Sequence, residues 1–231
     1  MIPKSELISF GVIAVVGRLV DASNATLLAN IEGCDPKLEI IYKPVAGERP
    51  LWDFPDGDLA SREYSAFLIS HMAGFNLVPF TVLRDGPFGH GMVQEWIDID
   101  ENVNVVEYGQ SNDDQLRKLA LFDAVINNAD RKFGHLLLDN QGALKGCDHG
   151  ISFHVEDKLR TVIWQFSSLP FDSEEITLLN KVHALNLEQI FDEYLTASEI
   201  SALRQRVDEL LLTKIFPEPS QVRPAIPWPP V

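Results

Sequence analysis

The sequence is poor in cysteine and has no long apolar run. Two cysteines, Cys34 and Cys147, are too few and too far apart for a disulfide framework, and no CxxC pair is present to hold zinc. No apolar run approaches the roughly 20 residues that a membrane span requires. The first residues also lack the basic start and apolar core of a signal peptide. We therefore expect a cytoplasmic protein without stable membrane insertion.

Basic residues are also scarce. Lys and Arg number 19 against 34 Asp and Glu, so the formal net charge is -15. Because binding to nucleic acid draws on clustered basic residues, nucleic acid is not an expected partner. The same charge disfavours unaided docking on an anionic membrane. A net charge does not describe a local pocket, however, and a few basic groups could still hold ATP.

The first half of the chain predicts an antiparallel sheet with one helix. Residues 12–43 contain three β-branched and aliphatic runs that are separated by Asp, Asn, Ser and Gly, which is typical of hairpins. From Asp58 to about Gly74 the apolar residues recur at helical spacing. Residues 78–99 then predict another strand pair around a Gly/Pro turn.

The second half predicts mostly helix. The acidic, Asn-rich residues 98–114 are interpreted as the connection between two halves, and an apolar helix is predicted from Asp113. A short hairpin is expected around Asn140. Thr196 and Glu199 form a capping box at the start of the last helix.

The C-terminal tail is rich in proline. Six of the 14 prolines lie in the last 15 residues, so the tail is predicted to be extended and to pack back along the body through Trp228. We interpret residues 1–231 as a single domain, with an N-terminal lobe of residues 1–97. The C-terminal lobe, residues 98–231, ends in this tail.

Four charged residues match the needs of ATP-dependent phosphoryl transfer, which requires a carboxylate for the acceptor, an acidic metal ligand and a lysine for the phosphates. Asp130 lies just beyond an apolar helix, and Asp148 lies at a tight turn after a strand. Lys43 ends an apolar strand, where an ammonium is rarely buried. Glu63 lies on the following helix and could pair with it.

Five segments in order carry a resemblance to a known family. YKPVAGERP, REYSAFLISHMAGFNLVPFTVL, MVQEW, LALFDAVINNADRKFGHLLLD and CDHGISFH resemble the phosphatidylinositol 3- and 4-kinase superfamily. The sequence looks most like the type II and plant gamma phosphatidylinositol 4-kinases and the small bacterial kinase-like proteins of that clan. The match covers roughly residues 12–166. It implies an α+β, two-lobed protein-kinase-like fold, with an antiparallel sheet in the N-lobe and a mostly helical C-lobe.

The resemblance implies a role for each matching residue. Lys43 would hold the α- and β-phosphates of ATP, and Glu63 would be its ion-pair partner. Asp130 would orient the acceptor hydroxyl and accept its proton, with Lys132 neutralising the transferring phosphoryl group, while Arg131 fixes the loop. Asp148 would bind Mg²⁺ or Mn²⁺. The adenine-binding hinge matches residues 92–96, including Gln94, Glu95 and Trp96.

The sequence departs from the family at the second metal ligand. Where the family has an asparagine five residues after the catalytic aspartate, this chain has His135. An imidazole nitrogen suits Mn²⁺ better than Mg²⁺. Three alternatives follow: His135 binds a different metal, Asp148 holds the ion alone with waters, or Asn127 or Asn128 substitutes as ligand. The first, in which His135 touches the nucleotide or the metal, is preferred.

The phosphate-binding turn is the second departure. The segment VDASNATLL contains no glycine, whereas protein kinases use a glycine-rich turn that lets backbone amides approach the phosphates. Ser23, Asn24 and Thr26 could supply hydroxyl and amide donors instead.

Three functions remain open on the sequence. The first is a kinase that transfers the γ-phosphate of ATP to a hydroxyl of a protein or a small soluble acceptor. A phosphoinositide is disfavoured by the acidic charge. The second is a nucleotide-binding pseudokinase that acts through a protein partner. The third is a kinase-like protein that transfers AMP. Taken singly, each residue also has an ordinary structural explanation, such as a helix cap or an edge-strand lysine.

Overall fold

A five-stranded antiparallel sheet forms the first lobe of the protein. The computed structural model describes residues 2–19 and 25–231. The elements of this lobe are α1 Lys4–Phe10, β1 Ile13–Arg18, β2 Leu27–Ile31, β3 Leu38–Pro44, α2 Leu59–Met72, β4 Thr81–Gly86 and β5 Gly89–Glu95. The strand order is β1-β2-β3-β5-β4. The predicted strands and the helix are confirmed, whereas α1 was not predicted.

Strand alternation gives this sheet two different faces. Ile40 and Tyr42 of β3 are fully buried on one face, together with Ile8 of α1. Because side chains alternate along a strand, Ile41 and Lys43, which directly follow Ile40 and Tyr42, point to the other face. Helix α2 packs against β4 and β5. Asp58 caps it by accepting a hydrogen bond from the backbone N–H of Ser61.

The second lobe is mostly helical. Its elements are α3 Val105–Gly109, α4 Asp114–Ile126, β6 Leu136–Leu138, β7 Leu144–Gly146, α5 Ser173–His183, α6 Leu187–Phe191 and α7 Ala197–Thr213, with short 3₁₀ turns at Val45–Gly47, Phe133–His135 and Trp164–Phe166. Asp113 caps α4, and the capping box of Thr196 and Glu199 begins α7, as predicted. Helix α4 is buried along most of its length and forms the centre of the larger hydrophobic core.

The tail packs back on the body, but the prediction that Trp228 anchors it is wrong, because this residue is 88% exposed. Backbone carbonyl groups hold the tail instead. The carbonyl of Ala225 accepts from the N–H of Thr161 and from the indole of Trp164, and that of Pro230 accepts from the N–H of Phe133. Prolines keep their carbonyl oxygens as acceptors although they lack an N–H, so a proline-rich segment can dock in this way.

Within the described ranges, no helix is both long enough and apolar enough to cross a bilayer. The described chain is thus an α+β structure with an antiparallel first lobe and a mostly helical second lobe, as the sequence predicted.

Candidate active site

Lys43 lies at the centre of the candidate site. Its ammonium is 2.5 Å from Oε1 of Glu63 and 2.8 Å from Oδ1 of Asp148. Burial alone would lower the pKa of Lys43, but the carboxylates of Asp148 and Glu63 outweigh it and raise this pKa above its usual range. The same ammonium lowers the pKa of Asp148 well below its usual range. The site therefore holds a cationic lysine and an ionised aspartate at neutral pH, 105 positions apart in the chain.

Glu63 connects this lysine to the helical lobe. Its side chain is buried on α2, and its Oε2 accepts a hydrogen bond of 3.1 Å from the backbone N–H of His149. Burial raises the pKa of Glu63, while Lys43 acts in the opposite direction. The predicted ion pair is present, and it fixes the segment that carries Asp148 as well as the lysine.

The residues on either side of Glu63 also bind the helical lobe. The buried guanidinium of Arg62 pairs with the buried carboxylate of Glu199 on α7. The ring of Tyr64 packs edge-on against that of Tyr194, with centroids 5.1 Å apart. Three consecutive residues of α2 thus contact the second lobe. Sequence reasoning found the capping role of Glu199, but the pairing with Arg62, 137 positions away, leaves no local signal.

A buried network holds the loop that carries Asp130. Arg131 is 0% exposed and binds Asp123 with two hydrogen bonds, of 2.8 and 2.9 Å. Its third nitrogen donates to the carbonyl of Cys147. Asn128 donates to Asp123 and accepts from the backbone N–H of Asp130. Bidentate arginine–carboxylate pairs are geometrically specific, so the loop has little freedom. Arg131 is placed as predicted, whereas the contribution of Asp123 was missed.

The two asparagines proposed as alternative metal ligands are engaged elsewhere. The side-chain oxygen of Asn127 accepts from the N–H of Lys158, and that of Asn128 accepts from Asp130. Asn127 also ends α4 in a left-handed conformation, with φ 56°. Neither amide is therefore free to ligate a cation near Asp148.

Asp130 lies in front of this network and is 15% exposed. The ammonium of Lys132 is 3.2 Å from one carboxylate oxygen, and a guanidinium nitrogen of Arg160 is 4.0 Å from the other. Burial raises the pKa of Asp130, and Lys132 partly opposes this effect. A carboxylate with a raised pKa is a better proton acceptor, and this property suits a general base.

Asp130, His135 and Asp148 lie close enough to hold one cation. Each offers one ligand atom, and the three atoms lie within 4.8 Å of one another. Nε2 of His135 is 3.3 Å from Oδ2 of Asp148. Burial lowers the pKa of His135 to about 4, so its imidazole is neutral at pH 7. Two carboxylates and a neutral imidazole fit a divalent cation, with the nitrogen favouring Mn²⁺ over Mg²⁺.

The other ring nitrogen of His135 lacks the usual support of a metal ligand. Nδ1 is buried and has no hydrogen-bond partner among the residues that the structure describes. Metal-ligating histidines almost always donate this second N–H to an acceptor. The geometry therefore makes His135 a weaker ligand than the two aspartates.

The predicted hinge residues end β5. The side chain of Gln94 is buried and donates to the hydroxyl of Thr81, while Glu95 pairs with Lys4. The backbone amides of Glu95 and Trp96 already donate to the carbonyl groups of Phe80 and Glu39. Adenine would therefore need another donor at this edge, beyond Trp96.

The phosphate-binding turn is described in part. Ser23 and Asn24 lie outside the described residues. Thr26 is buried directly before β2, and its carbonyl accepts from the N–H of Leu19. Since Leu27 pairs with Tyr42, Thr26 comes next to Lys43 in the register of the sheet. The roles of Thr26 and of the hinge residues stay predictions.

Solved structures place this architecture among the kinases. The chain is similar to a proinflammatory kinase, CtkA, from Helicobacter pylori, with a TM-score of 0.51 and 13% identity over 90% of this chain and 94% of the other. It is also similar to the Golgi casein kinase, with a TM-score of 0.52 and 12% identity over 90% and 72% of the two chains. The two-lobed protein-kinase-like fold is confirmed. Identities this low show the fold alone.

A curated relative provides the family. The chain is 40% identical to Protein Rv2133c of Mycobacterium tuberculosis over 264 aligned positions, which cover 98% of this chain and 95% of the relative. The chain belongs to the family of that mycobacterial protein. No protein-family model matches it. The finer assignment to the phosphatidylinositol 4-kinase branch stays a prediction.

Proposed function

We propose that the protein is an ATP-dependent phosphotransferase that transfers the γ-phosphate to a hydroxyl group. The observation that carries this proposal is the position of the Lys43 ammonium between Glu63 and Asp148, with Asp130 beside the same cluster. A partly buried ammonium shared by two carboxylates from different lobes serves phosphate binding better than it serves stability, since such ion pairs contribute little net stabilisation.

The residues divide the reaction as follows. Lys43 binds the α- and β-phosphates. Asp148 would hold Mg²⁺ or Mn²⁺, with Asp130 and His135 beside it, and the bound cation would neutralise phosphate charge. Asp130 orients the acceptor hydroxyl and takes its proton as the acceptor oxygen bonds to the γ-phosphorus. The bond from that phosphorus to the β-bridging oxygen breaks, and ADP leaves with the electron pair. Lys132 stabilises the charge on the phosphoryl group.

Two other candidate functions rest on the same site. The weak support of His135 favours a pseudokinase that binds nucleotide without turnover. A kinase-like protein that transfers AMP would use the same lysine and aspartates with ATP reversed. The acidic charge supports a protein side chain or a small soluble alcohol as acceptor rather than a membrane lipid.

ATP labelled on the α- or the γ-phosphate separates these functions. The protein is incubated with each label and either Mg²⁺ or Mn²⁺, alone and with a bacterial cell extract as the source of acceptors. We expect products that carry only the γ label, and none with the Asp130→Ala variant. A product with only the α label would establish AMP transfer. Nucleotide binding without any labelled product would establish a pseudokinase.

A further inference from the structure

A cavity of about 500 Å³ opens beside residues 127–132, the proposed catalytic loop that carries Asp130. Its walls come from the loop after β3 (residues 51–54), from residues 156–160, and from residues 217–224 of the tail. Ala129, which directly precedes Asp130, forms part of the lining. The cavity therefore meets the catalytic loop next to the residue that we propose as the general base.

Arg160 lies at this end of the cavity. Its side chain donates to the carbonyl of Ala129 at 2.8 Å, and its guanidinium comes within 4.0 Å of Asp130 while staying 37% exposed. Its backbone is fixed on both sides, because its N–H donates to Asn128 and its carbonyl accepts from Arg131. The catalytic loop thus holds a partly exposed guanidinium beside the general base.

Arg223 adds a second guanidinium from the tail. The segment is anchored two residues later, where Ala225 binds Thr161 and Trp164. Arg223 is only partly exposed, and within the described part of the chain its guanidinium forms neither an ion pair nor a hydrogen bond. A cation that is partly removed from water is costly unless it meets an anion. A chain of net charge -15 offers many carboxylates, yet none of those in the described ranges pairs with Arg223.

The acidic residues of the lining do not neutralise these two arginines. Asp53 is paired with Lys158 at 2.8 Å. Glu218 accepts a hydrogen bond from the hydroxyl of Ser168 and keeps its negative charge, but it forms no ion pair with either arginine. Glu156 and Asp157 are exposed to solvent, which screens their charges. Arg223 is therefore the cation of the lining that has no anionic partner among the described residues, and Arg160 approaches an anion only at 4.0 Å, at Asp130.

We infer that this cavity is the acceptor site, and that the acceptor is a small alcohol bearing a carboxylate or phosphate group bound by Arg160 and Arg223. This inference rests on the proposed function. The volume lies within the range of about 300–1,000 Å³ that is usual for small-molecule sites. Guanidinium groups bind carboxylate and phosphate through paired N–H donors, so either anion suits them. The anion would hold the acceptor while its hydroxyl faces Asp130.

Three compounds that share a three-carbon skeleton test whether the acceptor must carry an anionic group. Glycerol, glycerate and glycerol 3-phosphate are titrated calorimetrically into the full chain and into the Arg223→Gln variant. We expect both anions to bind, glycerol not to bind, and the variant to bind the anions about 10-fold more weakly, the loss typical of one charged hydrogen bond. The relative affinities of glycerate and glycerol 3-phosphate distinguish carboxylate from phosphate.

Control titrations separate this inference from the proposed function. Arg204→Gln removes an exposed guanidinium of α7 that pairs with Glu188, outside the cavity lining, and should bind the anions as the wild type does. Anions that bind no better than glycerol, or equally well to the Arg223→Gln variant, would overturn the acceptor site. So would binding of an acidic serine peptide in place of all three probes. Failure of ADP to bind with Mn²⁺ would contradict the proposed function and leave the anion titrations to decide about the cavity.

Discussion

The two sides of the loop that carries Asp130 differ in burial and in hydrogen bonding. Behind the loop, Arg131 is 0% exposed and is bonded to Asp123 and Cys147, and Asn128 links the same Asp123 to the backbone of Asp130. In front of it, Lys132 is 19% exposed and lies 3.2 Å from Asp130. Adjacent residues thus serve different purposes. Substitutions behind the loop should act on folding, and substitutions in front of it should act on chemistry.

The largest expected effect lies in front of the loop. Asp130→Asn should lower kcat by about 10²- to 10⁴-fold, since positioned general bases contribute about that much. Because burial disfavours the charged form of Asp130, the loss of its charge should not lower the melting temperature. The measurement pairs steady-state transfer with thermal unfolding, and Asp208→Asn on the exposed side of α7 is the control. Undiminished transfer would remove Asp130 from the mechanism.

The second largest effect lies behind the loop. Arg131→Met should lower the free energy of unfolding by about 3–5 kcal/mol, because it leaves the buried carboxylate of Asp123 without its charged partner. Lys132→Met, one position later, should change it by less than about 0.5 kcal/mol. Urea unfolding of the two variants makes the comparison directly. Equal losses of stability in both would show that the two sides are not separate.

Glu63 combines the burial seen behind the loop with a direct contact to Lys43. Glu63→Gln should therefore change both the stability and the nucleotide affinity by intermediate amounts. The residue is buried like Arg131, yet it binds the reactive Lys43. Since burial raises the pKa of Glu63, an amide in its place should cost about 1 kcal/mol or less. We expect the affinity for ADP, measured by calorimetry, to fall about 10-fold as Lys43 loses a charged partner. An unchanged affinity would show that Lys43 does not contact phosphate.

The smallest effect concerns the choice of metal. His135→Asn restores the oxygen ligand that the resemblance implies at this position. We expect the ratio of transfer rates in Mn²⁺ and Mg²⁺ to fall by about 3- to 10-fold, because an amide oxygen suits the harder Mg²⁺. Transfer rates over a range of each metal, with ADP binding as control, measure this change. A constant ratio would indicate that Asp148 and Asp130 bind the ion without His135.

The fold could be predicted where local signals act. Asp58, Asp113 and Thr196 mark helix starts because a cap binds N–H groups two or three residues away, so the signal lies within a few positions. The grouping of Lys43, Glu63 and Asp148 required the family resemblance, since 105 positions separate Lys43 from Asp148. Pairs such as Arg62 with Glu199 depend on tertiary packing and leave no pattern in the sequence.

The amino-acid composition of the tail did not predict where it docks on the body. Its prolines predicted an extended segment, but the docking site depends on which N–H groups of the body lack acceptors, including those of Phe133 and Thr161. A large aromatic residue was therefore a poor guide, and Trp228 stays exposed. The cavity that the tail closes could not be predicted for the same reason.

The attachment of α2 to both lobes restricts how such a protein could be switched off. Rotating this helix outward would carry Arg62 away and leave the buried carboxylate of Glu199 without its charged partner, at a cost of about 3–5 kcal/mol. Fewer than about one molecule in a hundred would then occupy the inactive arrangement at equilibrium. Control of turnover would fall to whatever occupies the cleft, and the supply of acceptor would set the rate.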